Sequence, residues 1–343
     1  MKLLVVKRDK IGDLLLATPL FAQLRRAIPD ARVHVLANDY NAWVVAGNPD
    51  VERVWTYPRT RHAGRLRVGA ALAQAAQLFA LRRERFDVAI AAGGEESPRA
   101  VRRALAARAA RTIAYAADPA RYGRGLTDAQ VPPATGHEVG RVLAQLAPLG
   151  VDVPADWPLP RFAVPAAWRA AAATWLGGAG FLPARFVVIG LGAREEEKRP
   201  SNAQVLRWAE RLHRDWGLAT ALQYTPGGAA NPEYPGSEAQ ARSLAAAAPA
   251  WIRLLPTELP VVVGVIAAAR TSVLPDGGLM HLAAVAAGGV VGLFARPGPL
   301  AAPERWGPVG PRAGVLVAPR AVAELDDDAV FAALLPRLAA AGA

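Results

Sequence analysis

Cysteine is absent from the whole chain, which excludes disulfide bridges and thiolate metal sites and fits a reducing compartment. Lysine is nearly absent: of 40 basic residues only Lys2, Lys7, Lys10 and Lys198 are lysine, the rest arginine. No eighteen consecutive apolar residues occur, so no membrane-spanning helix is expected. Met1-Lys2 leads straight into a strand-like LLVV rather than a signal peptide, and the expectation is a cytoplasmic protein. The first strand-to-helix loop lacks G-x-G-x-x-G, so a nicotinamide or flavin cofactor has no support. The five histidines, His34, His62, His137, His213 and His281, are scattered without metal-ligand spacing, and there is no nucleophile elbow. No metal is expected.

What is present is an apolar chain of 343 residues, 52% hydrophobic, long enough for two α/β domains with ordinary cores. Strand-like and helix-like segments alternate. Strands are expected at 2–8, 32–37, 51–56 and 86–91, with helices from Ile11 onward, over 69–85 and over 137–149. Residues 115–127 read as a loop. A proline-rich stretch, 151–165, carries no periodicity and reads as an interdomain linker, separating 1–160 from 161–343. Beyond it the alternation repeats, with a long Gly/Pro loop at 225–237. Such alternation marks parallel sheets wrapped by helices.

Charge is uneven. Residues 1–150 hold 23 Lys+Arg against 13 Asp+Glu, and the remainder 17 against 16. The first half is therefore expected to meet an anionic partner: a phosphorylated acceptor, an acidic membrane surface or nucleic acid. Its densest cluster, Arg82, Arg83, Arg85, Arg99, Arg102, Arg103, Arg108 and Arg111, is interleaved with alanine rather than aromatics, so nucleic acid is the weakest of these and a solvated helix face explains most of the run.

Three loops fall where strands hand over to helices. In 8–13, Asp13 sits where a carboxylate caps a helix or faces the crevice at the strand ends. In 93–97, Glu95, Glu96 and Ser97 follow Gly93-Gly94 on the same kind of edge and could line an acceptor pocket. In 190–200, Lys198 is the sole lysine among the last 333 residues, a compact ammonium where the chain otherwise uses arginine. The stretch 274–299, LPDGGLMHLAAVAAGGVVGLFARPGP, reads as a glycine turn opening a helix between two strands: a phosphate site, or simply a capped helix. A cation beside such a turn suits a diphosphate.

The opening VVKRDKIGDLLLATPLFAQLR, the middle HEVGRVLAQLAPLGV, the loop GLGAREEEKRPS, the closing PDGGLMHLAAVAAGGVVGLFA and then ERWGP resemble, in order and spacing, the bacterial ADP-heptose lipopolysaccharide heptosyltransferases of glycosyltransferase family nine. The resemblance implies a GT-B fold of two Rossmann-like domains, with acceptor bound by residues 1–160 and nucleotide sugar by 161–343. It implies inverting transfer without metal or cofactor, the nucleotide sugar, ADP-heptose, serving as co-substrate, and an anionic glycolipid or glycan acceptor at the inner face of the inner membrane. By this resemblance Asp13 is the general base, with Lys10, Gly12, Glu95, Glu96 and Ser97 toward the acceptor. Lys198, Gly192, Asp276, Gly277, Gly278, Leu279 and His281 belong to the donor site, and Glu238 is the ribose-binding glutamate. The chain departs from the pattern in three places: Gly277 replaces a Ser or Thr, the KRP run lacks a tryptophan, and the 225–237 loop is long. These departures leave open a catalytically silent sugar-nucleotide-binding protein, or a transferase for another nucleotide sugar.

Overall fold

The computed structural model describes residues 1–58, 61–62, 65–66, 68–228, 230, 235–295 and 302–339. The chain divides into two compact units, Met1–Ala163 and Val164–Ala343, so the division falls within the proline-rich stretch.

In the first unit the described elements run β1 (Lys2–Val6), α1 (Ile11–Leu16), α2 (Thr18–Ala27), β2 (Arg32–Asn38), β3 (Arg53–Tyr57), a two-residue ladder β4 (Arg61–His62) and β5 (Arg65–Leu66), α3 (Val68–Arg83), β6 (Val88–Ala91), α4 (Pro98–Ala106), β7 (Arg111–Tyr115), β8 (Asp128–Gln130) and α5 (Glu138–Leu143). Its six-stranded sheet has the order β3-β2-β1-β6-β7-β8, parallel throughout. The second unit runs α6 (Ala166–Ala179), β9 (Phe186–Gly190), α7 (Asn202–Trp216), β10 (Ala219–Gln223), α8 (Glu238–Ala247), β11 (Ile252–Leu254), α9 (Leu259–Ala268), β12 (Thr271–Pro275), α10 (Gly278–Ala284), β13 (Val290–Ala295), α11 (Pro303–Trp306), β14 (Ala313–Ala318) and α12 (Asp327–Ala339). Its sheet order is β11-β10-β9-β12-β13-β14, again parallel. Each unit is Rossmann-like.

Central strands are continuous apolar runs because helices cover both faces. Alternate residues of β9 show it: Val187 and Ile189 pack with Val205, Trp208 and Leu212 of α7 and Leu334 of α12, while Phe186 and Val188 pack with Leu176 of α6 and Val262 and Ile266 of α9. Helix α7 is closed at its start by a capping box, Gln204 N–H to Ser201 Oγ at 3.2 Å and Ser201 N–H to Gln204 Oε1 at 3.0 Å.

Several expectations are corrected. The opening helix is two: Pro19 has no N–H to give the Leu15 carbonyl, and the Thr18 hydroxyl donates to it instead at 2.7 Å, so the axis restarts at Thr18. The helix expected over 137–149 is α5 followed by a tighter 3-10 turn, Ala144–Leu149, which contains Pro148. The loop expected at 115–127 contains a 3-10 segment, Pro119–Gly125. It is flanked by two strands that local periodicity did not announce, one of them the three-residue edge β8. Arg111 donates to both oxygens of Asp128 at 2.6 and 3.2 Å across this pair. The arginine cluster is mostly solvated, as expected: Arg82, Arg83, Arg85, Arg99, Arg102 and Arg108 are exposed, while Arg103 lies 3.7 Å over the Tyr57 ring and Arg111 is spent on Asp128. Parts of two sequence features, 229 and 231–234 in the long loop and 296–299 after β13, lie outside the described residues.

Candidate functional site

Strand order decides where a ligand can lie. In the first sheet β1 sits between β2 and β6, so the chain leaves β1 in one direction and returns on the other side; in the second sheet β9 does the same between β10 and β12. Loops diverging at such a switch point leave a crevice at the strands' C-terminal ends. The loop after β1 with the first turn of α1, and the loop after β6, hold Lys7, Asp9, Lys10, Asp13 and 93–97; the loop after β9, and that after β12 with the first turn of α10, hold 191–198 and 276–279. Each unit therefore brings its own candidate residues to one crevice.

In the first crevice Lys10 is the N-cap of α1, and Asp13, its third residue, accepts the Lys10 backbone N–H at 3.2 Å. Asp13 thus takes part in closing the helix start without being the N-cap itself. Its pKa is raised, chiefly by burial and further by Asp9 and Glu138, with Lys7 opposing. Lys7 is 1% exposed, its Nζ 3.2 Å from Asp9. Burial alone would lower its pKa, but Asp9, Asp13 and Glu138 outweigh that and raise it, keeping an ammonium in the crevice. Glu138, 2% exposed, accepts the Gly94 N–H at 2.9 Å, and Arg141 Nε donates to the Gly94 carbonyl at 2.8 Å. Gln145 accepts from Gly93 N–H and donates to Ala91 O, both at 3.0 Å. The double-glycine loop is thereby clamped by one face of α5 and the turn after it.

Gly94 is needed there: a Cβ would stand 2.1 Å from Glu138 Oε2. Gly94→Ala is expected to dislodge the carboxylate from its N–H and lower stability by about 1–3 kcal/mol, read from the urea midpoint at unchanged slope. A midpoint equal to wild type would remove the clamp.

The other residues expected toward the acceptor divide. Gly12 is buried in α1, and Glu95 is exposed. Glu96 is spent on structure, accepting from Ala117 N–H at 2.7 Å and the Tyr122 hydroxyl at 2.5 Å, with a lowered pKa mainly from that hydroxyl. Ser97 precedes α4 as its N-cap, with its carbonyl taking the first helical bond from Val101 and no side-chain cap bond. Arg103, pressed on Tyr57, has its pKa lowered by burial and by Arg8, two cations held near one sheet edge. Lys7, Glu138 and Arg8 are the residues sequence reasoning missed. Lys7 was findable, since it shares with Lys198 the rarity of lysine; Glu138 was not, because its partner lies 44 residues away.

In the second crevice Lys198 closes a 3-10 turn, Glu196–Lys198, and is 7% exposed. Its Nζ lies 2.8 Å from Asp276 Oδ2 and 3.0 Å from Glu195 Oε2. Burial opposes its charge, yet these two carboxylates raise its pKa, so it stays an ammonium at neutral pH. Asp276, Gly278 and Leu279 are partly exposed and Gly277 exposed, so the N–H groups at 278 and 279, which have no earlier turn to bind, stand at an accessible helix start, while the Met280 N–H donates to the Gly277 carbonyl at 3.1 Å. A Cβ at Gly277 would meet nothing closer than 3.8 Å, so the missing hydroxyl there is not a matter of space. His281 is buried at the fourth position of α10. Gly192 lies against the next loop: a Cβ would come 2.5 Å from Thr225 Oγ1. Glu238 opens α8, accepting Gly227 N–H at 2.8 Å and Arg242 Nη2 at 2.5 Å, so it ties the long loop to its helix. Among the described residues no group of three His, Asp or Glu is placed to hold a metal ion.

A family model described as glycosyltransferase family 9 (heptosyltransferase) matches residues 76–329. The glycosyl transferase family 9 structure from Veillonella parvula DSM 2008 is similar at TM-score 0.79 and 16% identity, covering 98% of this chain and 97% of its own. E. coli ADP-heptose lps heptosyltransferase II is similar at 0.74 and 21%, covering 99% of each chain. E. coli heptosyltransferase WaaC with ADP is similar at 0.73 and 21%, covering 98% of this chain and 100% of its own. At such identities these structures speak for the two-domain GT-B fold. A search of the curated proteins finds no match. The family model spans well over half of the chain, and the chain belongs to glycosyltransferase family 9, the heptosyltransferase family, as a glycosyltransferase.

Proposed function

We propose that this glycosyltransferase moves a heptose from ADP-heptose to an anionic glycolipid or glycan acceptor, with inversion at the anomeric carbon and no metal ion. The observation that carries the reading is the buried Lys198 ammonium against Asp276 at the start of α10. An ammonium has three protons. Two point to Asp276 and Glu195, and the third suits a phosphate oxygen. Glu195, half exposed, is the partner a diphosphate would displace, while Asp276 keeps Lys198 in place.

In the transfer, Asp13 takes the proton of the acceptor hydroxyl as its oxygen bonds to the anomeric carbon. The bond from that carbon to the diphosphate oxygen breaks, and its electron pair leaves on the nucleoside diphosphate. Lys198 and the first N–H groups of α10 stabilise the charge developing there. The cations of the first unit, Arg8 and Arg103 among them, hold the acceptor's negative groups, and a lipid-borne acceptor brings this unit to a bilayer surface.

Thermal shift with free nucleotides tests the donor. ADP is expected to raise Tm more than UDP or GDP at equal concentration, by mass action on the folded state. Equal shifts would remove the adenine assignment, and no shift would remove the donor site.

Asp13 must be ionised to act, and its pKa is raised, first by burial. The acid limb of kcat/KM is therefore expected at a pH above the ordinary aspartate value of about 3.9. Because the folded state holds this proton more tightly than the unfolded chain, Asp13 contributes stability at low pH that is lost as pH rises from the ordinary value through the folded one. Lys7→Met removes the charge that opposes the rise, so the limb should move to still higher pH. A limb unmoved by Lys7→Met would detach Lys7 from Asp13.

A further inference from the structure

The turn that follows β2 reaches back to the loop that carries Asp13. Asn38, the last residue of β2, and Asn41 just beyond it are both buried, at 6% and 0% exposure. Each accepts the backbone N–H of the other through its side-chain oxygen, at 3.2 Å in both directions. Each then sends its amide nitrogen to a carbonyl of the loop after β1: Asn38 Nδ2 donates to Arg8 O at 2.6 Å and Asn41 Nδ2 to Asp9 O at 2.9 Å. The amide orientations are forced, because a backbone N–H only donates and a carbonyl only accepts.

Asn41 is not spent on capping the turn it opens. It precedes the 3-10 turn Ala42–Val44 as its N-cap, where an asparagine ordinarily accepts an N–H of the turn itself, yet it makes no such bond. The carbonyl it holds instead belongs to the peptide group whose other end is the Lys10 N–H, and that N–H donates to Asp13 Oδ2 at 3.2 Å. A peptide group is planar. Fixing its carbonyl on Asn41 therefore sets the direction of its N–H, and the bond the carbonyl accepts polarises that N–H toward the carboxylate. Asn38 acts one peptide earlier and has no such line to Asp13.

We propose that Asn41 is a positioning residue for Asp13, orienting its carboxylate through the Asp9–Lys10 peptide. The geometry holds whatever Asp13 does, and its bearing on transfer rests on the reading of Asp13 as the base. The Lys10 bond lowers the Asp13 pKa against the burial that raises it, so a loosened peptide should let it rise further. The charged groups that face Asp13 are Lys7 and Asp9 from its own loop and Glu138 from α5, and substitution of Asn41 removes none of them.

The rarity of lysine supplies the probe. With isotope-labelled lysine the full chain shows only the backbone amide resonances of Lys2, Lys7, Lys10 and Lys198, and the one that Lys10→Arg removes reports the ionisation of Asp13. In Asn41→Ala the pH midpoint of that resonance is expected to rise by about half a unit or more, and the acid limb of kcat/KM with it. Its kcat should fall about tenfold to a hundredfold with KM changed less than about twofold. Asn38→Ala loosens the same turn, so its Tm should fall comparably, but its midpoint should stay at that of wild type. A midpoint unmoved in Asn41→Ala, or moved equally in both variants, would overturn the proposal. If Asn41→Ala does not fold, Asn41→Asp and Asn38→Asp replace the pair: each keeps the shape and the acceptor, gains one carboxylate and loses only its amide donor, and the midpoint must rise further in Asn41→Asp. The resonance is read without substrate, so a shifted midpoint beside a wild-type rate in Asp13→Asn would uphold Asn41 and remove only the base.

Discussion

Asp13→Asn is expected to keep the Tm and the ADP affinity of wild type and to lose between about a hundredfold and ten-thousandfold in transfer rate. The substitution separates two roles that the structure places on one side chain. The Lys10 N–H bond to Asp13 closes the start of α1, and an asparagine oxygen accepts it equally well. Loss of such a bond costs about 1 kcal/mol, a few degrees at most in a chain of this size. An amide cannot take the acceptor's proton. Lys7 keeps Asp9 and Glu138 as counter-charges when Asp13 is neutralised, so the crevice is not left with a lone buried cation. A rate near wild type would make Asp13 structural only. The search for a base would then pass to Asp9 and Glu95, since Glu96 is already engaged by Ala117, Tyr122 and Arg121.

Lys198→Ala is the second large effect. Hydrogen bonds to charged groups contribute about 1.5–3 kcal/mol, so one lost contact to a diphosphate weakens ADP binding by roughly tenfold to a hundredfold. The loss should exceed that of a simple contact, because Asp276 then faces the phosphates with no cation between them. Arginine should restore little: the site holds a compact ammonium between two carboxylates, and a planar guanidinium on a longer stem does not fit the same three directions. Calorimetric titration with ADP reads both variants, and Glu195→Gln is the companion, expected to bind ADP more tightly by removing the competing carboxylate. Undiminished ADP affinity in Lys198→Ala would place the lysine outside the donor site.

Much of the architecture was legible because it is written in local periodicity. Buried runs such as 186–190 and 290–295 carry strands wherever they fall, and the residues of α7 that meet the sheet recur at helical spacing from Val205 to Leu212. The lone Lys198 and the glycine turn at 277–278 were legible by composition. Elements at the edges were not. Three-residue β8 has no apolar signal of its own, and β14 is a partly exposed edge strand paired along its length with β13.

The sequence by itself determined two parallel α/β units, the proline-rich join between them, a basic first half and the residues at each loop. Only the tertiary structure decided which loops meet. Strand order puts β1 beside β6 and β9 beside β12, across 82 and 81 residues from the last residue of one strand to the first of the other, and that order is set by helices packing on both faces rather than by any local pattern. The same packing brings Lys198 to Asp276 across 78 residues and Glu138 to Gly94 across 44, and commits Glu96 to Tyr122. Periodicity is a property of neighbours in the chain; a crevice is a property of neighbours in space, and its charges acquire their pKa values only once burial has removed the water that would otherwise screen them.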